Sequence, residues 1–204
     1  MLEAYLRTSP LAHLNTAAPG AEARRPDDGI ALRELPFPTV ADLRCRAEAD
    51  LIARLGPALG FDAAPSLGES RGNGEATLAR LGPDEWWLIA GENRGDLIEA
   101  ARAALDGVAA AVTEIGEGLC AIEASGPRVW DLLAKGCPLD LDAERLAVGR
   151  CAQSLLSKAD LFLLRRPDLD GTPCLLLIVR RSFADYAWRW LASAAQEYGL
   201  TLLR

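Results

Sequence analysis

The stretch Leu81–Gly91, LGPDEWWLIAG, places two carboxylic acids directly before two tryptophans. Carboxylates beside aromatic rings occur in catalytic sites and in sites that bind flat rings. Successive side chains of a strand, however, point to opposite faces. Asp84 and Glu85 therefore cannot converge on one substrate atom, and Trp86 and Trp87 cannot form one clamp. We interpret the stretch as a turn that leads into a buried strand.

A second pair of acids lies in Glu114–Gly118, EIGEG, where Glu114 and Glu117 flank a glycine at the predicted end of a strand. A polar side chain at a strand end can face a pocket, where a carboxylate can act as an acid or a base. A tight turn with two solvated acids fits the same residues. Both interpretations stay open for this pair of acids.

Other catalytic classes lack essential parts. His13 is the only histidine, and it lies in a segment without hydrophobic periodicity. No CxxC pair occurs among the five cysteines, which are Cys45, Cys120, Cys137, Cys151 and Cys174. The glycines of GESRGNG match neither dinucleotide-binding nor phosphate-binding spacing. We therefore predict no nucleophilic triad, no metal site and no flavin or NAD site on this chain.

Charge and hydropathy narrow the possible partners. The chain has 204 residues and a net charge of −7. Because no basic stripe offers contacts to phosphates, we expect no nucleic-acid partner, and an anionic membrane would repel the chain. The sequence contains no apolar run of roughly 18 residues, so we expect no membrane span. The first residues lack the features of a secretory signal. Thiols without a paired pattern fit a reducing compartment, so we expect a cytoplasmic protein.

Hydrophobic periodicity predicts alternating strands and helices after residue 29. Strands are expected at Ile30–Phe37, Val40–Arg46, Ala76–Leu81, Trp86–Ala90, Ala110–Ile115, Leu119–Ala124, Cys151–Lys158, Leu161–Arg166, Cys174–Arg180 and Leu200–Leu203. Helices are expected at Glu48–Leu59, Asp96–Leu105, Gly126–Lys135 and Phe183–Tyr198, with a loop at Phe61–Glu75. The same order of elements occurs twice. We therefore predict an α+β fold of two duplicated βαββαβ (ferredoxin-like) units.

Composition divides the chain into an arm and a domain. Residues 1–29 are rich in Ala, Pro, Arg and Asp, so we expect a flexible arm whose apolar SPLAHL segment docks on a partner. Residues 30–204 are expected to form a single globular domain of two pseudo-repeats, about 38–117 and 118–204, around a pseudo-two-fold axis. The Trp- and Arg-rich helix Phe183–Tyr198 is a second expected contact surface.

Five segments, in their order and spacing, resemble the gamma-subunit family of heterotetrameric sarcosine oxidases. They are ALRELPFPTVADLR, LGPDEWWLIAG, CAIEASGPRVWDLLAKGCPLDLD, GRCAQSLLSKADLFLLRR and RRSFADYAWRWLASAAQEYGL. The resemblance runs from about Ser9 to the C-terminus. That family is itself similar to the folate-binding domain of the glycine-cleavage aminomethyltransferase, which implies a duplicated α+β fold of the kind that the periodicity predicts.

The resemblance also implies a place in a bacterial complex of alpha, beta, gamma and delta subunits. That complex oxidatively demethylates sarcosine to glycine, reduces oxygen to hydrogen peroxide and passes the methyl carbon to tetrahydrofolate. In the family, FAD, FMN and NAD lie on the alpha and beta subunits, and the gamma chain carries no cofactor. We therefore expect a non-catalytic structural subunit. A complex that acts on another N-methyl amino acid is an alternative.

The related aminomethyltransferase has a catalytic Asp in an Asp-Val-Ser-His run, and the matching stretch here is Glu114–Glu117. Glu114 stands where that Asp stands, and the position of the His holds an acid or a glycine. Ser157 and Lys158 lie near the position of an Asn that shapes the enzyme's folate pocket, without its glycine turn. These departures imply that the fold is kept and the site is lost. A stand-alone folate-binding or aminomethyltransferase-like protein is the alternative function.

Overall fold

The computed structural model describes residues 7–14, 29–46 and 48–203. Its strands are β1 (Ile30–Leu35), β2 (Pro38–Cys45), β3 (Ser70–Gly72), β4 (Ala76–Arg80), β5 (Glu85–Glu92), β6 (Ala110–Glu114), β7 (Leu119–Ser125), β8 (Cys151–Leu156), β9 (Ala159–Leu169), β10 (Thr172–Arg180) and β11 (Leu200–Leu203). Its α-helices are α1 (Glu48–Leu59), α2 (Gly95–Ala104), α3 (Val129–Ala134) and α4 (Ala184–Ala195). None of the helices in these ranges combines the length and the hydropathy needed to cross a bilayer.

The first sheet has the strand order β3-β4-β5-β2-β6, and each neighbouring pair is antiparallel. Without the short β3, this is the order of a ferredoxin-like βαββαβ unit. Helices α1 and α2 cover one face of the sheet. There Leu51, Leu55 and Ile98 of the helices pack against Leu43 and Trp86 of the sheet. The periodic apolar positions of both helices are thus explained by burial against the sheet.

The second sheet has the order β11-β1-β7-β10-β9-β8. Strand β1 precedes the first unit in sequence, yet it lies between β11 and β7, parallel to the former and antiparallel to the latter. Helices α3 and α4 cover the outer face of this sheet, where Leu132, Trp188 and Leu191 join its core. The two βαββαβ units are therefore present as predicted, and the second unit contains one strand more than its own repeat supplies.

Strand β3 lies inside the predicted loop Phe61–Glu75, so this part of the prediction is wrong. It is the counterpart of β8, because each is the outer strand next to the second strand of its unit. The two edges meet: the Ser70 N–H donates to the Gly149 carbonyl at 2.7 Å, and the Cys151 N–H donates to the Gly68 carbonyl at 2.9 Å. The sequence of β3, Ser-Arg-Gly, has no apolar alternation that could reveal a strand.

Two predicted helices are shorter than expected. Helix α3 begins at Val129 rather than at Gly126. Gly126 has φ +128°, and a Cβ there would lie 2.3 Å from the carbonyl oxygen of Gly29, so its backbone serves a close crossing rather than a helix start. The predicted helix Phe183–Tyr198 is α-helical only over α4, with a short 3₁₀ turn at each end.

The two sheets face each other across a shared core. Val40, Ala79 and Ile89 of the first sheet meet Phe162 and Ile178 of the second. Since the helices cover the outer faces, the layers are ordered helices, sheet, sheet and helices. Gaps between the two sheets are therefore the places where the fold can hold a ligand.

The described part of the predicted N-terminal arm packs on the domain. Leu11 is 0% exposed in the core beneath α4. His13 Nε2 lies 2.8 Å from an Asp185 carboxylate oxygen at the start of α4. The prediction of a flexible arm over residues 1–29 is therefore corrected for residues 7–14, and most of the remaining arm lies outside the described residues.

Candidate functional site

A cavity of about 620 Å³ opens between the sheets where the chain passes from the first unit to the second. Ile115, Gly118 and Leu119 of the connecting segment line one side of it. The rest of its lining comes from Trp87, Gln153, Ser154, Asp160, Leu161, Phe162, Ile178, Val179 and Arg180. We call this space the junction cavity. Its volume lies in the range of small-molecule sites.

Two aromatic rings form the most specific feature of the junction cavity. The ring centroids of Trp87 and Phe162 are 5.0 Å apart, and the ring planes are tilted by 38°. Trp86, by contrast, is 0% exposed in the core on the helix side of the first sheet. The prediction that the two tryptophans point to opposite faces is confirmed. Only Trp87 can contact a molecule in the cavity.

Asp84 and Glu85 do not form a site. Glu85 Oε1 pairs with Arg44 Nη2 at 2.9 Å, and Asp84 Oδ2 lies 3.5 Å from Arg46 Nε. The chain turns back here, since the Leu81 N–H donates to the Glu85 carbonyl at 2.9 Å. Each acid thus serves a separate ion pair beside the turn. The interpretation of this stretch as a turn into a buried strand is confirmed.

Glu114 points away from the junction cavity. Strand pairing places Glu114 opposite Ala41, and directly opposite residues of an antiparallel pair project to the same face. Ala41 belongs to the core beneath α1 and α2, whereas the cavity lies on the other face of the sheet. Glu114 is exposed there and does not line the cavity. Its assignment as a degenerate catalytic residue remains a prediction that this orientation does not favour.

The connecting segment is held by backbone crowding and by Arg7. A Cβ on Gly116 would lie 2.3 Å from the carbonyl oxygen of Pro38, so only glycine fits where the segment crosses β2. Arg7 Nη2 pairs with Glu117 Oε1 at 2.7 Å. The Arg7 guanidinium also lies over the Phe37 ring, 4.4 Å from its centroid. The second acid of EIGEG therefore fastens the N-terminal segment rather than facing the cavity.

Ser157 and Lys158 form the turn between β8 and β9. Ser157 has φ +55°, and its Oγ accepts a hydrogen bond from the Tyr186 hydroxyl at 2.9 Å. Both turn residues are exposed, and neither lines the junction cavity. The residues that the resemblance places near a folate-pocket Asn thus form a tight turn on the surface.

The cysteines are buried thiols. Burial, reinforced by the nearby Glu34 carboxylate, raises the pKa of Cys120 to about 12. Burial likewise raises the pKa of Cys151 to about 11. A thiol that stays protonated is a poor nucleophile and a poor metal ligand. Within the described ranges, no group of three or more His, Cys, Asp or Glu side chains is placed to hold a metal ion.

The predicted contact surface on the last helix offers fewer aromatic side chains than expected. Trp188 is only 3% exposed. Trp190 covers Gly136, where a Cβ would lie 2.4 Å from the indole ring. Arg189 pairs with Asp185 on the same helix at 2.9 Å. Phe183, which is 40% exposed, is the large apolar side chain that this end of α4 presents.

Most residues that line the junction cavity were not among the candidates predicted from the sequence. Phe162 and Gln153 lie in predicted strands, whereas Asp160 falls between the predicted strands Cys151–Lys158 and Leu161–Arg166. Strand alternation puts all three side chains on the same face across β8 and β9. The alternation along each strand could have shown which of its residues share a face. Which face meets the other sheet could not be read from the sequence, because that depends on how the two units pack.

The sequence of this chain matches a known protein family over most of its length. Residues 45–197 match the model of the sarcosine oxidase, gamma subunit family. The chain is 30% identical over 194 residues to the sarcosine oxidase subunit gamma of Corynebacterium sp. (strain U-96). It is 32% identical over 195 residues to the sarcosine oxidase subunit gamma of Arthrobacter sp. Each match covers 95% of this chain and 92% of the relative.

Solved structures show the same fold. A chain of the heterotetrameric sarcosine oxidase from Corynebacterium sp. U-96 in complex with pyrrole 2-carboxylate has a TM-score of 0.82 and 28% identity, covering 98% of this chain and 100% of that chain. Aminomethyltransferase T of the glycine cleavage system from Bartonella henselae has a TM-score of 0.72 and 18% identity, covering 96% of this chain and 59% of that chain. The second match concerns the fold alone and confirms the predicted aminomethyltransferase-like architecture. The family match and the identity over nearly the whole chain show that this protein belongs to the sarcosine oxidase gamma subunit family.

Proposed function

We propose that this chain is a non-catalytic, structural subunit of a sarcosine oxidase complex, in contact with alpha, beta and delta subunits. The observation that carries the proposal is the similarity to a chain of a heterotetrameric sarcosine oxidase, over 98% of this chain and 100% of that one. A protein that matches one subunit throughout its length is expected to take the same place in an assembly. The orientation of Glu114 supports a role without catalysis for this chain.

In this proposal the parent complex demethylates sarcosine oxidatively to glycine in the cytoplasm and transfers the methyl carbon to tetrahydrofolate. FAD, FMN and NAD belong to the other subunits. This chain contributes a rigid body of residues 30–204, whose pseudo-repeats of about 38–117 and 118–204 are joined by the core between the sheets. Such a body can hold the flavin-bearing subunits in a fixed arrangement without touching the substrate.

Co-expression tests the proposal directly. The chain carries an affinity tag and is produced with the alpha, beta and delta subunits encoded by the same organism. We expect the tagged chain to co-purify with them at constant ratio and with flavin absorbance, and to lack that absorbance when it is produced alone. Recovery of the tagged chain without any of the other subunits would show that the proposal is wrong.

The same assay tests the expected contact surface. Phe183→Asp places a charge on the exposed ring position at the start of α4, and Leu67→Asp is a matched control because Leu67 is also an exposed apolar residue, 56% exposed near the β3 edge. If α4 meets a partner, Phe183→Asp weakens co-purification and Leu67→Asp does not. The opposite pattern would move the contact surface to the β3 edge.

One observation favours the alternative function of a stand-alone folate-binding or aminomethyltransferase-like protein. The rings of Trp87 and Phe162 stand together in the junction cavity, and aromatic pairs of this kind can stack on a flat ring. Titration of the chain with a reduced folate discriminates between the two functions. Binding in the micromolar range that is lost in both Trp87→Ala and Glu114→Ala would favour the alternative. Absence of binding favours the structural subunit.

A further inference from the structure

A second cavity, of about 300 Å³, opens at the other end of the core between the sheets. Apolar residues dominate its lining, among them Leu35, Ile89, Leu176 and Ile178. Arg166 is the basic group of this lining. We call the space the arginine cavity. An apolar cavity with one strong hydrogen-bond donor at its wall is the usual form of a small-ligand site.

Arg166 belongs to a charge cluster on three strands of the second sheet. Glu123, which is 4% exposed, lies 3.1 Å from a guanidinium nitrogen of Arg33 and 3.5 Å from one of Arg166. Each arginine is 35% exposed. Two guanidinium groups share one carboxylate, so the cluster has a formal charge of +1. Glu92 also lines the cavity, but it is exposed to solvent.

The cluster retains hydrogen-bonding capacity. Nε of Arg33 is buried and has no hydrogen-bond partner among the described residues. A guanidinium carries five N–H donors, and its fork matches the two oxygens of a carboxylate. Arg33 lies outside the lining of the arginine cavity, so an anion in the cavity would accept hydrogen bonds from Arg166 and would neutralise the remaining charge of the cluster.

Gly91 leaves open space at the wall of the arginine cavity. It lies in β5 and lines the cavity, and a Cβ built on it would meet nothing within 4 Å. Its φ is not in the left-handed region, so neither conformation nor crowding within this chain requires glycine there. Glycine inside a strand often marks a bulge or the close approach of a ligand, and Gly91 is the extra residue where Pro38 pairs with Glu92 and Thr39 pairs with Ala90.

We propose that the arginine cavity binds a small monocarboxylate with a compact apolar body. The apolar body lies over Gly91 between Ile89 and Leu176, and the carboxylate accepts hydrogen bonds from Arg166, with Arg33 on the far side of Glu123 adding positive charge. Charge-assisted, two-pronged bonds of this type are the strongest that a guanidinium makes. The proposal does not depend on membership in an oxidase complex.

Titration of the 204-residue chain with benzoate, followed by calorimetry or NMR, tests this proposal. Benzamide is the matched neutral probe, because it has nearly the same shape and lacks the charge. We expect saturable binding of benzoate and binding of benzamide that is weaker by about tenfold or more. Arg166→Ala should weaken benzoate binding by a similar factor, and Arg166→Lys should recover only part of it because a lysine lacks the fork.

Two further variants separate binding from folding. Gly91→Leu fills the cavity from a position where a Cβ meets open space, so it should abolish benzoate binding while the far-UV spectrum stays unchanged. Arg44→Ala is the matched arginine control, since Arg44 also pairs with two acids, Asp42 and Glu85, outside the lining of the arginine cavity. It should leave binding unchanged.

Three results would overturn the proposal. Equal affinity for benzoate and benzamide would show that the cavity is only an apolar gap. Absence of saturation up to high millimolar concentrations would show that it binds no small carboxylate. If benzoate does not bind and Arg166→Ala instead releases co-expressed subunits, the arginines belong to a contact with a neighbouring protein.

Discussion

Replacement of Leu11 by alanine should lower the free energy of unfolding by about 2–4 kcal/mol. Leu11 is 0% exposed and lies in the core beneath α4, together with Trp188 and Leu191. The substitution removes the apolar side chain that anchors residues 7–14. The prediction opposes the expectation of a flexible arm, under which the same change would cost nothing.

The size of the loss in unfolding free energy follows from the burial of Leu11, and the free energy with which residues 7–14 dock sets its upper limit. A buried leucine that is cut to alanine generally costs about 2–5 kcal/mol, because transfer free energy is lost and a cavity remains. Residues 7–14 can detach, however, so the loss cannot exceed the free energy with which this segment docks. The other contacts are weak individually: the His13–Asp185 pair is about half exposed on both sides, and such pairs contribute about 0.2–1 kcal/mol. Leu11 is the one buried residue of this segment, so we expect it to make the largest single contribution to docking.

Urea unfolding followed by tryptophan fluorescence measures the loss, since Trp86 and Trp188 are both buried. The control is Leu67→Ala, because Leu67 is 56% exposed and its truncation should change stability by no more than about 0.5 kcal/mol. Equal and small losses in both variants would show that residues 7–14 do not contribute to the folded state. That result would support the expectation of a flexible N-terminal arm.

Three further predictions concern the connecting segment, the buried thiols and the inserted strand. Gly116→Ala should lower the free energy of unfolding in urea by about 3 kcal/mol or more, because the new Cβ would lie 2.3 Å from a carbonyl oxygen. At Gly118 a Cβ meets open space, so Gly118→Ala should change it by no more than about 0.5 kcal/mol. Similar losses in both variants would contradict the close approach of Gly116 to β2. Burial raises the pKa of Cys120 from 9.0 to about 12, so the thiol stays protonated in the folded state while the unfolded chain ionises. Stability should fall as pH rises from 9 toward 12, and Cys120→Ala should remove about 1.4 kcal/mol of the loss measured at pH 10; an unchanged pH dependence would contradict this. A fragment of residues 118–204 lacks β1, which lies inside the second sheet, so circular dichroism should show that this fragment is unfolded. A fragment of residues 38–117 keeps the four strands of its own repeat and should fold. A folded 118–204 fragment would show that the second unit does not need β1.

The sequence predicted local elements well, because their signals are local. Apolar positions at helical spacing place α1 at Glu48–Leu59, and Gly199 ends the last helical segment as expected. The position of β1 between β11 and β7 is a different matter. Its parallel partner is about 170 residues away in sequence, as the pairing of Ile30 with Leu200 shows. No periodicity within a strand specifies such a partner.

The sequence identified the segment beside the candidate site, but it did not predict which side chains of that segment face the cavity. The resemblance pointed to the stretch that begins at Glu114, and the junction cavity does lie beside it. The direction of each side chain depends on strand register, and a slip of one residue would turn every side chain to the other face. The pairing of Glu114 with Ala41 settles that direction, and it is a property of the folded sheet.

The backbone of the connecting segment determines which positions can reach the junction cavity. Strand β6 ends at Glu114 on the helix side of the first sheet, and Gly116 is fixed against Pro38 by a crossing too close for any side chain. The positions of this segment that line the cavity are Ile115, Gly118 and Leu119. Two of them carry an apolar side chain, and the glycine carries none. An acid at 114 is thus separated from the cavity by the sheet itself.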